Sequence, residues 1–209
     1  MKKLGISLSA LAAALLMSAT VFVQAVDADE EGWTSLFNGK NLDGWKMGDA
    51  DQGKWTVKEG KIVAQGPRSH IFTDKNFKNF EFKAEVMTTP GSNSGIYFHT
   101  KYLKSGWPEQ GHESQVNVTH GDPVKTGSLY HYVKLFETPA EDNKWWEHHI
   151  IVRGKHLITK INGKVVLDYT EPEGAAGAKV INEGCFALQA HDPKSITYYR
   201  NIRVKKLED

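Results

Sequence analysis

Apolar and polar residues alternate in short runs along nearly the whole chain, and no long segment keeps apolar residues at the three- and four-residue spacing of a helix. The runs KWTVKEGKIVAQG, NFEFKAEVMTT, SGIYFHTKY, ESQVNVTH, GSLYHYVKLF, WWEHHIIVRGKHLITKINGKVVLDY, GCFALQAH and ITYYRNIRVKKL are punctuated by Gly, Asn and Pro. They predict about ten to twelve strands. That many short strands without helices point to an all-β sandwich of two layers. The pairs Glu59-Gly60 and Asn162-Gly163 each stand between alternating runs and predict tight hairpins. Residues 171–179, EPEGAAGAK, read as a loop.

Strand side chains point to alternate faces, so phase separates a core face from an outer one. Ile96, Phe98 and Thr100 oppose Tyr97 and His99; Ser114, Val116 and Val118 oppose Glu113, Gln115 and Asn117; Phe186, Leu188 and Ala190 oppose Ala187, Gln189 and His191. If the three strands share a sheet, its outer face carries Tyr97, His99, Glu113, Gln115, Asn117, Gln189 and His191. A merely solvated face would more often carry Lys, Thr and Glu in no particular company. This one is expected to hold a substrate.

Composition narrows the reading. A chain of 209 residues suits one domain with a substantial core. Residues 1–25 pair two lysines with an apolar run ending at Val23-Gln24-Ala25, the form of a secretory signal peptide. An uncleaved anchor is the competing reading, but Ser7, Ser9, Ser18 and Thr20 dilute the run. The expected organisation is therefore a signal peptide over 1–25, a linker over 26–32 and a single domain over 33–209. The expected location is periplasmic or extracellular, with no stable membrane insertion after cleavage.

Loss of Lys2 and Lys3, with no acid, leaves 24 basic against 25 acidic side chains in place of 26 against 25. That balance gives no electrostatic footprint for nucleic acid. The lone cysteine, Cys185, has no partner for an internal disulfide and is expected in the core. Nothing in the pattern sets the oligomeric state.

The segments SLFNGKNLDGWK, NFEFKAEV, GSNSGIYFHT, GHESQVN, TGSLY, INGKVV and FALQAHDPKSITYYRNIRVKKL, in this order, resemble the 3-keto-disaccharide hydrolase domain family. The resemblance spans roughly residues 33 to 207, and no single motif has to carry it. It implies a concanavalin-like jelly roll of two antiparallel sheets whose concave sheet binds carbohydrate. It also implies cleavage of glycosides already oxidised to a ketone at sugar carbon 3. His99 stands where other branches often carry Arg, and His148-His149 replaces ordinary strand residues, so substrate choice stays open.

A 3-ketone acidifies the proton on carbon 2, and the glycosidic oxygen on carbon 1 can then depart by elimination, with water addition completing hydrolysis. Such a site needs a base, donors aimed at the enolate oxygen and an acid for the leaving group. Glu113 or a neighbouring histidine fits the base; His99 or His191 fits the acid or the enolate donor. Gln115, Asn117, Gln189 and Tyr97 would orient hydroxyl groups. Trp107, in the loop SGWPEQG, offers a sugar-stacking face. Tyr130 in KTGSLY and Arg68 in PRSHIF are candidates for the cleft wall, whereas Asn93 and Ser94 read as a turn.

Ordinary retaining hydrolysis is disfavoured, because Gln115 stands where a second carboxylate would be useful. No cofactor is certain. A divalent metal ion is a candidate if His99, Glu113, His120 and His191 converge, although no tight ligand spacing is present. The alternative is a noncatalytic carbohydrate-binding module, and geometry separates the two: an enzyme must bring Glu113 and at least one of these histidines around a common point.

Overall fold

Alternation of the kind described buries one face of each strand, and two such faces can only be satisfied against each other. The computed structural model describes residues 31–48 and 53–208, and these described residues form thirteen strands. The expected signal peptide and residues 26–30 of the linker lie outside the described residues. Among the described residues no helix is long and apolar enough to cross a membrane.

The strands form two antiparallel sheets in a jelly-roll sandwich. The larger sheet runs in the order β11 (Lys164–Thr170), β10 (His156–Ile161), β9 (Trp146–Arg153), β6 (Phe80–Thr88), β13 (Ile196–Lys206), β4 (Lys61–Gln65), β3 (Lys54–Lys58), with β1 (Trp33–Ser35) also pairing with β13. The smaller sheet runs β2 (Trp45–Met47), β5 (Ser69–Phe77), β12 (Gly184–Ala190), β7 (Asn93–Thr100), β8 (His112–Asn117).

The core lies between the sheets. On β6, Phe80, Phe82, Ala84 and Val86 alternate inward; on β12, Phe186, Leu188 and Ala190 do the same. Phe186 is the central contact, its ring 4.9, 4.7 and 4.6 Å from those of Phe77, Phe80 and Phe82. Aromatic pairs of this kind add roughly 0.5–1.5 kcal/mol each to the area they bury. Cys185 is buried as expected, and burial pushes its thiol up to about 11. His148, read from sequence as surface or scaffold, is scaffold: its Nε2 pairs with the Ser114 hydroxyl at 2.8 Å inside the core.

Both expected hairpins form. Glu59 and Gly60 have φ of 51° and 73°, and Asn162 and Gly163 have φ of 50° and 76°. Two successive left-handed residues make the turn whose twist matches antiparallel strands. Residues 171–183 are free of strand, in agreement with the loop reading.

GSLYHYVKLF departs from expectation, making only isolated bridges in place of a regular strand. Gly127 at φ 93° and His131 at φ 75° break the pleat at the start and in the middle of the segment. Between them the backbone lies along the open edge of β8: Gly127 N–H donates to Gln115 O and Gln115 N–H to Ser128 O, both at 3.0 Å, and Tyr130 N–H to Glu113 O at 2.9 Å. The segment covers an edge that would otherwise be free to pair. It also sets Tyr130 beside Glu113.

Candidate active site

The face of the smaller sheet turned away from the core is the floor of a cavity of about 360 Å³. Tyr97 rises from β7, Glu113 and Gln115 from β8 and Gln189 from β12. These are residues that strand phase assigned to the outer face. Loops supply the walls: Trp107, Pro108 and Glu109 after β7; Asp122, Tyr130 and His131 after β8; Lys179 before β12; His191 immediately after it.

Glu113 lies flat over Gly95, where any Cβ would overlap its Oε1. A side chain at position 95 would therefore have to displace the carboxylate. Gln189 Nε2 donates to the Tyr97 hydroxyl at 2.8 Å and approaches Glu113 Oε1 at 3.4 Å. Having accepted from Gln189, the Tyr97 hydroxyl has its own proton for Glu113. Burial pushes the Glu113 carboxyl from 4.5 up to about 7, against the Tyr97 hydrogen bond, the Lys179 charge and the Gln189 contact, which pull it down. Burial and the Glu113 charge push the Tyr97 phenol well above its ordinary range, so it stays protonated. A carboxyl held at about 7 can both take and return a proton near neutrality.

A second chain of contacts runs along one side. Gln115 Nε2 donates to Asn93 Oδ1 at 3.2 Å, and Asn93 Nδ2 meets His120 Nδ1 at 3.3 Å. Tyr130 donates to Asp122 Oδ2 at 3.2 Å, and burial followed by the Asp122 charge raises its phenol. His191 sits at the rim with Nδ1 3.0 Å from Asp192 Oδ2. Its ring lies 5.5 Å from the Trp107 ring and 5.5 Å from that of His120. His70 is wedged beneath, 5.3 Å from Tyr97 and 5.7 Å from Trp107; burial, with the nearby Arg68 and His191 charges, pushes it down to about 3. It is a neutral prop for the wall.

Three expected site residues do not line the cavity. His99 takes φ of 55° where the pairing with β12 is irregular, and this rotates its ring out of phase, against Phe80 and Phe98. There its Nε2 bonds Lys78 O and its Nδ1 accepts from Asn182 N–H, and burial pushes it down to about 4. Asn117 has the predicted phase, but its amide is consumed in the loop that follows: Nδ2 donates to Asp122 O and Val124 O, and Oδ1 accepts from His120 N–H. Arg68 stays outside, its guanidinium 5.6 Å from the centre of the Trp107 ring. Asn93, read as a turn residue, is a wall residue instead. Asp122, His131 and Lys179 carry no sequence signal, because each sits on a loop brought in by the fold.

The set His99, Glu113, His120 and His191 does not converge on one ion. His120, His191 and Asp192 do place ligand-type atoms within 4.8 Å of one another. However, His120 Nδ1 accepts from Asp122 N–H at 3.0 Å and faces the Asn93 amide. A neutral ring so held carries its proton on Nε2, which makes that atom a donor with no lone pair for a metal. The trio fits a hydrogen-bonded arrangement better than a coordination sphere.

Both the sequence and the fold resemble those of known proteins. The family described as the 3-keto-alpha-glucoside-1,2-lyase-like domain matches residues 32–205. A Bacteroides thetaiotaomicron protein named 3-keto-disaccharide hydrolase is 36% identical, over 88% of this chain and 80% of the relative. Among solved structures, a candidate glycosyl hydrolase of Parabacteroides distasonis superposes with a TM-score of 0.73 at 25% identity, over 90% of this chain and 99% of that one. A carbohydrate-binding module of Bacillus subtilis shares the fold at a TM-score of 0.59 and 14% identity, over 78% of this chain and 96% of that one.

Proposed function

Because the chain belongs to the 3-keto-alpha-glucoside-1,2-lyase-like domain family, we propose that it cleaves glycosides oxidised to a ketone at carbon 3, with Glu113 as the group that moves the carbon 2 proton. The observation that carries this reading is Glu113 itself, a carboxyl raised to about 7 on the floor of a cavity that also holds His191.

Glu113 takes the carbon 2 proton, and the electrons left behind form an enolate on the carbon 3 oxygen. Lys179 provides a positive charge on the cavity wall for this anion. The carbon 1–oxygen bond then breaks, and its electron pair leaves with the glycosidic oxygen, which takes a proton from His191. Water adds to carbon 1 and gives a proton back to His191, while Glu113 returns its proton to carbon 2. The sum is hydrolysis, with both side chains restored.

The test is product formation from matched glycosides, one native and one carrying the 3-ketone, by wild-type protein and by Glu113→Gln. Cleavage of the ketone form alone, reduced by about 10²–10⁴-fold in the variant, is the expected result. Binding of either glycoside without cleavage would replace this reading with a lectin-like one.

A further inference from the structure

Asp192 does not line the cavity, yet nearly every hydrogen-bonding position on its carboxylate is filled. Oδ1 accepts from Lys194 N–H at 2.9 Å and Ser195 N–H at 3.2 Å. Oδ2 accepts from the Ser195 hydroxyl at 2.5 Å and meets His191 Nδ1 at 3.0 Å, with His120 Nε2 3.9 Å away. The turn that carries Asp192 is itself fixed, since Gly66 packs so closely on its carbonyl that any Cβ there would overlap it. Only a carboxylate can accept from all these donors at once. Although burial pushes Asp192 up, the Ser195, His191 and Lys194 hydrogen bonds outweigh it and hold the group at about 2.

The two rings that face each other at the rim are therefore held in opposite ways. His120 offers Nδ1 as an acceptor to Asp122 N–H, so its proton lies on Nε2. His191 has a carboxylate at Nδ1, so its proton lies there and Nε2 is left for the cavity.

We propose that Asp192 is the positioning residue of His191: it fixes the Nδ1–H form of the ring and presents Nε2 as the proton-transfer atom at the glycosidic oxygen. This rests on the reaction proposed above. Asp192 stabilises the charged ring before the leaving group takes the Nε2 proton, and it keeps Nε2 free to accept the proton that water then loses. Ser195 and the two amides keep the carboxylate from rotating. His120, locked in the other tautomer, stands beside this pair as a donor.

Asp192→Asn separates the orienting role from the structural one. Its Oδ1 still accepts from the Lys194 and Ser195 amides, so the turn is retained, while its Nδ2 meets His191 as a donor and forces the ring proton onto Nε2. The experiment combines nitrogen-15 NMR of the histidine rings, with His191 assigned through His191→Gln, and steady-state kinetics on a 3-keto glycoside. In the wild type, at a pH where both rings are neutral, His191 should show the Nδ1–H form and His120 the Nε2–H form; in Asp192→Asn, His191 should switch.

With the switch, kcat should fall by at least about 100-fold while KM changes less than threefold, because Asp192 does not touch the cavity. Ser195→Ala, which removes one of the bonds to Oδ2, should give a smaller fall in kcat. An unchanged His191 tautomer in Asp192→Asn would overturn the proposal. So would zinc or manganese shifting the His120 and His191 nitrogens together while raising activity, since both rings would then be ligands. A wild-type protein that leaves 3-keto glycosides intact would sink the reaction while the ring spectra still decide the tautomers.

Discussion

Glu113 is tuned at a cost to the fold. Its carboxyl is raised from 4.5 to about 7 in the folded protein, chiefly by burial. The folded state thus holds its proton over a range in which the unfolded state has already lost it. Stability must fall as pH rises from about 4.5 to about 7 and stay lower above that. Glu113→Gln removes the buried charge, so thermal or urea unfolding at pH 8 should show the variant more stable than wild type, on the order of 1–3 kcal/mol with allowance for partial exposure. At pH 4 the two should be nearly equal. Equal stabilities at both pH values would mean that the carboxyl is not raised. The same residue shows what a sequence can reveal: Glu113, Gln115, Gln189 and Tyr97 were readable from a two-residue period alone. His99 was not, because a positive φ at one position reverses the face of one side chain while leaving the pattern of apolar and polar letters untouched.

At the scale of elements, the hairpins and the loop at 171–179 were legible, and the paths that loops take over the sheet were not. The turn between β10 and β11 depends on Asn162, which combines φ of 50° with an Oδ1 that accepts from Glu147 N–H at 2.9 Å. Asn162→Ala should destabilise by roughly 1–2 kcal/mol, from left-handed strain plus the lost hydrogen bond. Asn162→Gly should cost less, because only the hydrogen bond is removed; urea midpoints would check the order. Residues 127–136 look like one more strand by composition, yet Gly127 and His131 bend them along the edge of β8. Pairing partners decide such a segment, and partners lie outside any local window. Asn117 illustrates the same limit, since its phase was right while the loop folded over it took up its amide.

At the scale of the molecule, the cavity joins segments far apart in the chain, and its charge is set by that meeting. Lys179 comes from the loop before β12, and its positive charge lowers the pKa of Glu113, whereas Asp122 raises it. Lys179→Met should therefore move the Glu113 pKa upward. With Glu113 acting as the ionised base, the rising limb of kcat/KM against pH should shift to higher pH, and the plateau should also fall as the enolate loses its counter-charge. A pH-rate profile with an unmoved limb would show that Lys179 does not act on Glu113. The sequence by itself determined the all-β class, the two hairpins, the family resemblance and the polar face of the smaller sheet, because period, turn chemistry and motif order are local properties of the chain. Only the tertiary structure decided that His99 faces inward, that Asn93, Asp122 and Lys179 reach the cavity, and that Asp192 grips His191. Those depend on a single left-handed residue, on loop paths and on contacts between distant segments, and none of these leaves a periodic mark in the sequence.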